Sequence, residues 1–186
     1  MTVRPLTPAR WPDLVRLFGP NGACAGCWCV WPRRSAAEFR RGKGAPNRRA
    51  FRRVVTAGPP PGVLAYVDGV AAGWCAVAPR DAYPRLDRSR VMARVDAQAV
   101  WSVTCFFVGR GFRGRGLALP LLRGAVMLAR RHGARAVEGY PNELPARTAD
   151  TFVWMGLADT FLAAGFEEVA RRAPTRPIMR LTLGAR

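Results

Sequence analysis

Apolar positions fall into two spacings along this chain, and the switches between them mark its elements. Residues 2–6 read as a short strand. Thr7 then stands as an N-cap, with Pro8 at the first helical position, ahead of Trp11, Leu14, Val15 and Phe18 at helical spacing. Gly19 and Pro20 close that helix. Ser35 and Glu38 form a capping box that opens a short helix stopping at Gly42, and Asn47 caps another that ends at Gly58. From Gly62 the spacing changes to that of strands. Residues 63–67 and 70–77 flank Asp68-Gly69, a strong short-range hairpin signal, so antiparallel sheet is present.

The most informative pattern lies further on. Residues 101–108, WSVTCFFV, are aromatic or β-branched apart from Ser102 and Cys105, as a buried strand requires. Residues 109–116 hold four glycines and three arginines, and behind them Leu117, Leu121, Leu122, Ala125, Leu128 and Ala129 recur at helical spacing. The unit is therefore strand, cationic glycine-rich turn, helix. Gly133 ends that helix and residues 134–138 form another strand. A last helix is expected over residues 151–164, with Phe152, Met155, Leu157, Phe161 and Leu162 apolar. Gly165-Phe166 ends it, and two closing strands, residues 167–171 and 178–183, follow. Residues 79–96 are polar and arginine-rich, with no clear period.

Composition changes this picture only in part. A chain of 186 residues, 49% hydrophobic, suits one domain with a sizeable core, and neither an internal repeat nor a dividing linker is visible. The net charge of +18 would ordinarily suggest nucleic acid. Lys43, however, is the only lysine among 30 basic residues, and the arginines are scattered, as codon bias in a GC-rich bacterial genome would produce. A partner carrying several phosphates is the better expectation. With no long apolar run and no leader-like N-terminus, a cytoplasmic protein without membrane contact is expected, as monomer or homodimer. The five cysteines are an odd number and imply no disulfide framework. Cys24, Cys27 and Cys29 lack the second downstream pair that a structural zinc site needs, so no metal is expected.

The physics of the central turn points to a phosphate. Unpaired amides at a helix start aim outward, the helix dipole adds positive charge, and glycines allow close approach of an anion. Two loop patterns compete. Gly109, Gly111 and Gly114 satisfy a dinucleotide fingerprint, with Glu138 as the later carboxylate. Alternatively, Arg113, Gly114, Arg115, Gly116, Leu117 and Ala118, preceded by Val108, resemble motif A of the GNAT superfamily of N-acetyltransferases. A dinucleotide fold needs repeated strand and helix units on both sides of its loop, whereas this chain offers one such unit between two hairpins. The element order β, α, α, β, β, β, α, β, α, β, β is similar to that of GNAT proteins along essentially the whole chain, and Ala163-Ala164-Gly165-Phe166 matches the family's segment after the last helix. The Cys27-Trp28-Cys29 segment resembles one found in actinobacterial members.

The resemblance implies an α/β (α+β) fold with a mixed, splayed central sheet of about seven strands flanked by helices, as one domain over residues 1–186. It implies acetyl-CoA as acyl donor and an amine of a small molecule or protein as acceptor. The pantetheine arm would lie between the fourth and fifth strands, bonded by backbone groups of Phe106, Phe107 and Val108, with the pyrophosphate on the amides of residues 113–118. A tyrosine usual in the last helix is replaced by Phe161, and an asparagine usual seven residues earlier by Trp154. An acid or base must then come from elsewhere, and Glu138 and Tyr140, at the end of the fifth strand, are the candidates. The bland alternative is that Glu138 pairs with an arginine while Tyr140 packs. Trp28, Cys29 and Trp31 are expected to wall the acceptor pocket or to anchor the core. Two other classes stay open: a GNAT fold that binds acyl-CoA without catalysis, and a basic nucleic-acid-binding protein.

Overall fold

The structure, a computed structural model, describes residues 1–143 and 153–184. Seven strands form one mixed sheet: β1 (Thr2–Pro5), β2 (Gly62–Val67), β3 (Val70–Pro79), β4 (Trp101–Val108), β5 (Ala136–Gly139), β6 (Glu167–Arg171) and β7 (Pro177–Thr182), in the spatial order β1-β2-β3-β4-β5-β7-β6. All neighbours run antiparallel except β4 and β5. Asp68 and Gly69, with φ of 49° and 78°, supply the left-handed pair that the tight turn between β2 and β3 demands.

Helices cover both faces. On one face α5 (Ala118–Arg131) and α6 (Ala158–Leu162) bury Leu121, Leu122, Leu128 and Phe161 against Val63, Val77, Val103 and Val137. On the other, α1 (Trp11–Phe18) and α3 (Ala45–Ala57) pack Trp11, Leu14, Phe18 and Phe51 onto Leu64 and Trp74. Beside this second core, α4 (Pro84–Asp87) closes a smaller cluster of Tyr83, Leu86, Tyr140, Met155 and Ile178.

Two features open the sheet where a ligand could enter. The register between β3 and β4 shifts between Ala76 and Val77, which face Cys105 and Val103, so Thr104 is the extra residue of a bulge. The parallel pairing of β4 with β5 then stops at Val103 and Gly139, although β4 runs on to Val108. Past that point the two strands part, which gives the sheet its splay.

The structure departs from the sequence reading at three element boundaries. Thr7 makes no side-chain cap bond; its carbonyl instead accepts from the Arg10 amide at 2.9 Å, closing a 3-10 turn ahead of α1. Asn47 does not cap a helix either. α3 starts two residues earlier, after Gly44 with φ of 82°, and Asn47 is fully buried, donating from Nδ2 to the Gly26 carbonyl at 3.1 Å. A buried amide thus ties the Cys24–Cys29 loop to a helix, which a polar residue at the right spacing for a cap concealed. The capping box of α2 (Ala36–Arg41) is present, with the Glu38 amide reaching Ser35 Oγ at 3.3 Å.

The last helix is the third departure. Only residues 158–162 are helical, residues 151–152 lie outside the described residues, and residues 153–157 run as non-helical chain. Gly156, with φ of 91°, cannot continue a helix, and the carbonyls of Trp154 and Gly156 accept from the distant amides of Phe106 and Asn142. The apolar spacing that suggests a longer helix comes from side chains serving different clusters, Met155 in one and Phe161 in another.

Candidate active site

The glycine-rich turn sits where β4 and β5 part. Gly109 leaves the strand, residues 110–112 make one 3-10 turn, and Arg113 is extended (φ −66°, ψ 156°). Gly114 and Gly116 then take φ of 71° and 70° before Leu117 opens α5. An L-residue at either glycine would be strained, and no heavy atom lies within 4 Å of where its Cβ would sit. The space over the loop is open, and no side chain caps the start of α5, so its first amides face outward. Arg113 Nε donates to the Val108 carbonyl at 3.3 Å and Arg115 lies over the Phe112 ring at 5.6 Å. A diphosphate fits such a cradle chemically, because outward amides, a helix dipole and open glycine backbone suit an anion, with two arginines in the same turn.

Along β4 the side chains of Phe106 and Phe107 diverge, Phe106 toward Phe161 (6.1 Å between ring centroids) and Phe107 toward Phe18 (5.4 Å). The main chain of β4 beyond Val103 therefore borders the splay. It does not stand unpaired there. The Phe106 amide donates to the Trp154 carbonyl at 2.6 Å, while the Asn142 amide donates to the Gly156 carbonyl at 2.9 Å and the Ala158 amide to the Asn142 carbonyl at 3.0 Å. Residues 153–157 thus lie in the opening, with Gly156 so close to the rings of Phe106 and Phe161 that a Cβ there would meet each at 3.0 Å.

Glu138 and Tyr140 are together, but in a closed ionic network. Glu138 is 2% exposed; its Oε1 accepts from Arg180 Nε at 2.9 Å and Nη2 at 2.6 Å. Its Oε2 accepts from the Tyr140 hydroxyl at 3.1 Å and lies 3.9 Å from Arg80 Nη1. Arg80, equally buried, also donates to the Tyr140 oxygen at 2.5 Å, and Ser102 Oγ shares a hydrogen bond with it at 2.9 Å. Burial, and then the charge of Glu138, push the Tyr140 phenol well up. Asp87 holds Arg80 and Asp96 holds Arg180 from outside. No oxygen of the carboxylate is turned to the splay without a partner.

The three tryptophan-loop candidates separate. Trp28 and Cys29 are buried in the core, Trp28 against Trp11 and Phe18, and Cys29 accepting from Trp74 Nε1 at 3.3 Å. Trp31 stands apart from them, its ring meeting that of Trp154 edge-on at 5.0 Å. No group of three metal-ligating side chains occurs among the described residues.

Sequence reasoning missed Arg80, Arg180 and the Trp154 carbonyl. Arginines gave no signal in a chain holding so many, and a main-chain acceptor has no sequence signature. His132, the only histidine, stacks on Trp101 at 5.7 Å while its amide closes α5, away from the splay.

A mixed seven-stranded sheet that splays after its fourth strand, with a glycine-rich loop and helix at the opening, defines the GNAT fold. Residues 28–147 match the acetyltransferase (GNAT) family, and the chain belongs to that family. Among solved structures, a GNAT acetyltransferase from Streptococcus agalactiae aligns over 99% of this chain and 96% of its own, at 16% identity and a TM-score of 0.58. A GNAT protein from Kribbella flavida aligns over 98% and 97%, at 20% identity and 0.54, and the GNAT domain of S. lividans PAT over 97% and 89%, at 20% and 0.52. Identities this low carry the fold alone. No curated protein matches the chain.

Proposed function

We propose that this protein is an N-acetyltransferase that moves an acetyl group from acetyl-CoA to a primary amine of a small molecule or protein. The observation that carries this reading is the turn between β4 and α5, where Gly114 and Gly116 hold left-handed backbone under open space at the point where the sheet splays. The amides of residues 113–118 would receive the pyrophosphate, with Arg113 and Arg115 beside them. Val108 and Phe106 would pair with the pantetheine arm along β4, the Phe106 amide turning from the Trp154 carbonyl to the thioester oxygen.

For the proton, the geometry favours the bland reading of Glu138 over the catalytic one. A carboxylate gripped by Arg180 and bonded by Tyr140 would have to break an ion pair to accept a proton. We infer that Glu138 and Tyr140 position β5 and that the amine arrives neutral, attack resting on proximity and the β4 amide. The leaving thiol, with a pKa of roughly 8.5, departs as thiolate without an acid, and the proton that the attacking nitrogen sheds as the amide forms passes to solvent and then to the thiolate.

A second reading is a GNAT fold that binds acyl-CoA without turnover. Phe161, fully buried in the position where the family's tyrosine stands, favours it, as does the engagement of the Phe106 amide by the chain itself. Calorimetry with acetyl-CoA, followed by thiol release across a panel of amines, separates the two. Binding with release supports transfer, and binding without release supports the second reading. No CoA binding, with salt-sensitive binding to DNA or RNA, would overturn both.

A further inference from the structure

Arg85 departs from the other arginines of this protein. Its Nε donates to the Arg34 carbonyl at 3.2 Å, yet its Nη2 is shielded from solvent and has no hydrogen-bond acceptor, the only side-chain nitrogen of that kind among the described residues. Leaving such a donor unmade is costly, and a charged donor costs more than a neutral one. The guanidinium is held rather than loose, lying 4.5 Å over the Trp31 ring. Burial first, and then the charges of Arg40 and Arg88, lower its pKa from the ordinary value. No carboxylate ion-pairs with it among the described residues.

A second cation is tied to the same place. Arg176 donates from Nη1 to the Tyr140 carbonyl at 3.1 Å and to Met155 Sδ at 3.4 Å, again with no acidic partner among the described residues, and burial lowers its pKa. Contacts run from Arg85 through Trp31 to Trp154, and from Arg176 to Met155. Arg85 is thus linked to Trp154 through the Trp31 ring, and Arg176 touches the side chain of Met155, the residue after the carbonyl that holds the β4 amide proposed for the thioester.

We propose that the acceptor amine carries an anionic group, a carboxylate or a phosphate, that completes the hydrogen bonding of Arg85, with Arg176 as the second cation at that end of the splay. This rests on the acetyltransferase reading above and gives its substrate class. Arg85 as a whole is only partly buried, and an anion that bonds Nη2 has to displace what now shields that nitrogen. An amine with a neutral body leaves that donor unsatisfied and two cations facing an uncharged ligand, so discrimination follows from the same cost.

The test uses amines matched in shape and differing in charge: glutamate against glutamine, aspartate against asparagine, and O-phosphoserine against serine. Thiol release from acetyl-CoA is followed in the wild type and in Arg85→Met, which keeps an apolar stem, with Arg85→Gln as a second variant. CoA affinity and Tm are measured in each. At least one acidic amine should exceed its neutral partner by 10-fold or more in kcat/KM, and that ratio should fall below about 3-fold in both variants with CoA affinity unchanged. Whether the carboxylate or the phosphate pair shows the preference identifies the source of the anion. Neutral amines that match their acidic partners, or a preference that survives both substitutions, overturn the proposal. If no amine is turned over, the same acids are titrated into CoA-saturated protein, where the phosphate loop is filled. Binding weakened 10-fold or more in Arg85→Met supports the proposal, and equal or absent binding overturns it. Failure of the wild type to bind CoA would instead sink the acetyltransferase reading.

Discussion

The main-chain amide of Phe106 points at the carbonyl of Trp154, 2.6 Å away, across the opening between β4 and β5. Two segments far apart in sequence thus meet at the spot where the thioester of an acyl-CoA is expected. Both cannot use that amide at once.

Hydrogen exchange should report this exchange of partners. On adding acetyl-CoA, the amides of Asn142 and Ala158 are expected to exchange several-fold faster, as the bonds that tie residues 153–157 to Asn142 loosen, while the Phe106 amide, passed from the Trp154 carbonyl to the ligand, stays protected. Unchanged or greater protection of the Asn142 and Ala158 amides on binding would mean that the segment stays in place and the thioester uses another donor.

The glycine-rich turn proposed for the pyrophosphate makes a sharper demand. Gly114 and Gly116 have room for a side chain, so the cost of replacement lies in the left-handed backbone and in the approach of the ligand, not in a clash within the fold. Gly116→Val should therefore keep a native far-ultraviolet spectrum and raise the Kd for CoA by 10-fold or more, on the order of 1.4 kcal/mol. Unchanged affinity in the folded variant would remove the pyrophosphate from this loop.

Much of this architecture was legible in the chain. The Asp68-Gly69 hairpin, the β4 strand, the arginine-glycine turn and α5 all follow local rules that nothing distant overrides. The site beyond the loop was not legible, because it is made of distant pairs. Glu138 meets Arg180 only through the antiparallel register of β5 with β7, and Arg80 reaches Tyr140 only after β3 has ended beside β4. Asn47 and residues 153–157 misled for the same reason: a local pattern consistent with a helix cap or a helix is outweighed by bonds to residues that the sequence does not bring near.

The tyrosines give a prediction about alkaline pH. All three, Tyr66, Tyr83 and Tyr140, have phenols raised above the ordinary value of 10.0, chiefly by burial; Tyr66, bonded to Asp13 at 2.6 Å, is pushed up to about 12. The unfolded chain loses these protons first, so it gains stability relative to the native state as pH rises above 10. The contribution of Tyr66 should be whole below pH 10 and gone by about 12. Phenolate absorbance is expected to rise together with loss of the near-ultraviolet circular dichroism signal, and Tyr66→Phe should move that transition to higher pH. A phenol titrating near pH 10 in protein that is still native would contradict the burial on which this rests.

Variants of Glu138 and Tyr140 test how the proposed transfer is done. Glu138→Gln keeps the size of the side chain and some of its hydrogen bonds but removes the charge that Arg180 and Arg80 face at 2.6 and 3.9 Å. Breaking a buried pair of this kind costs on the order of 3 kcal/mol, and for a chain of this length that lowers Tm by about 6–12 °C. Tyr140→Phe should cost less, about 1–2 kcal/mol, because Arg80 keeps Asp87 and the Met92 carbonyl when the phenol oxygen is lost. If the two residues only position β5, kcat per folded molecule should change by less than about 3-fold in either variant, and the pH profile should follow the ionisation of the acceptor amine. A base at Glu138 has a different signature, a fall in kcat of roughly 100-fold or more with CoA affinity intact and little loss of Tm. Measuring Tm and kcat on the same preparations of Glu138→Gln across pH 6 to 9 separates these outcomes, and a large kcat effect in a stable variant would return Glu138 to the catalytic step.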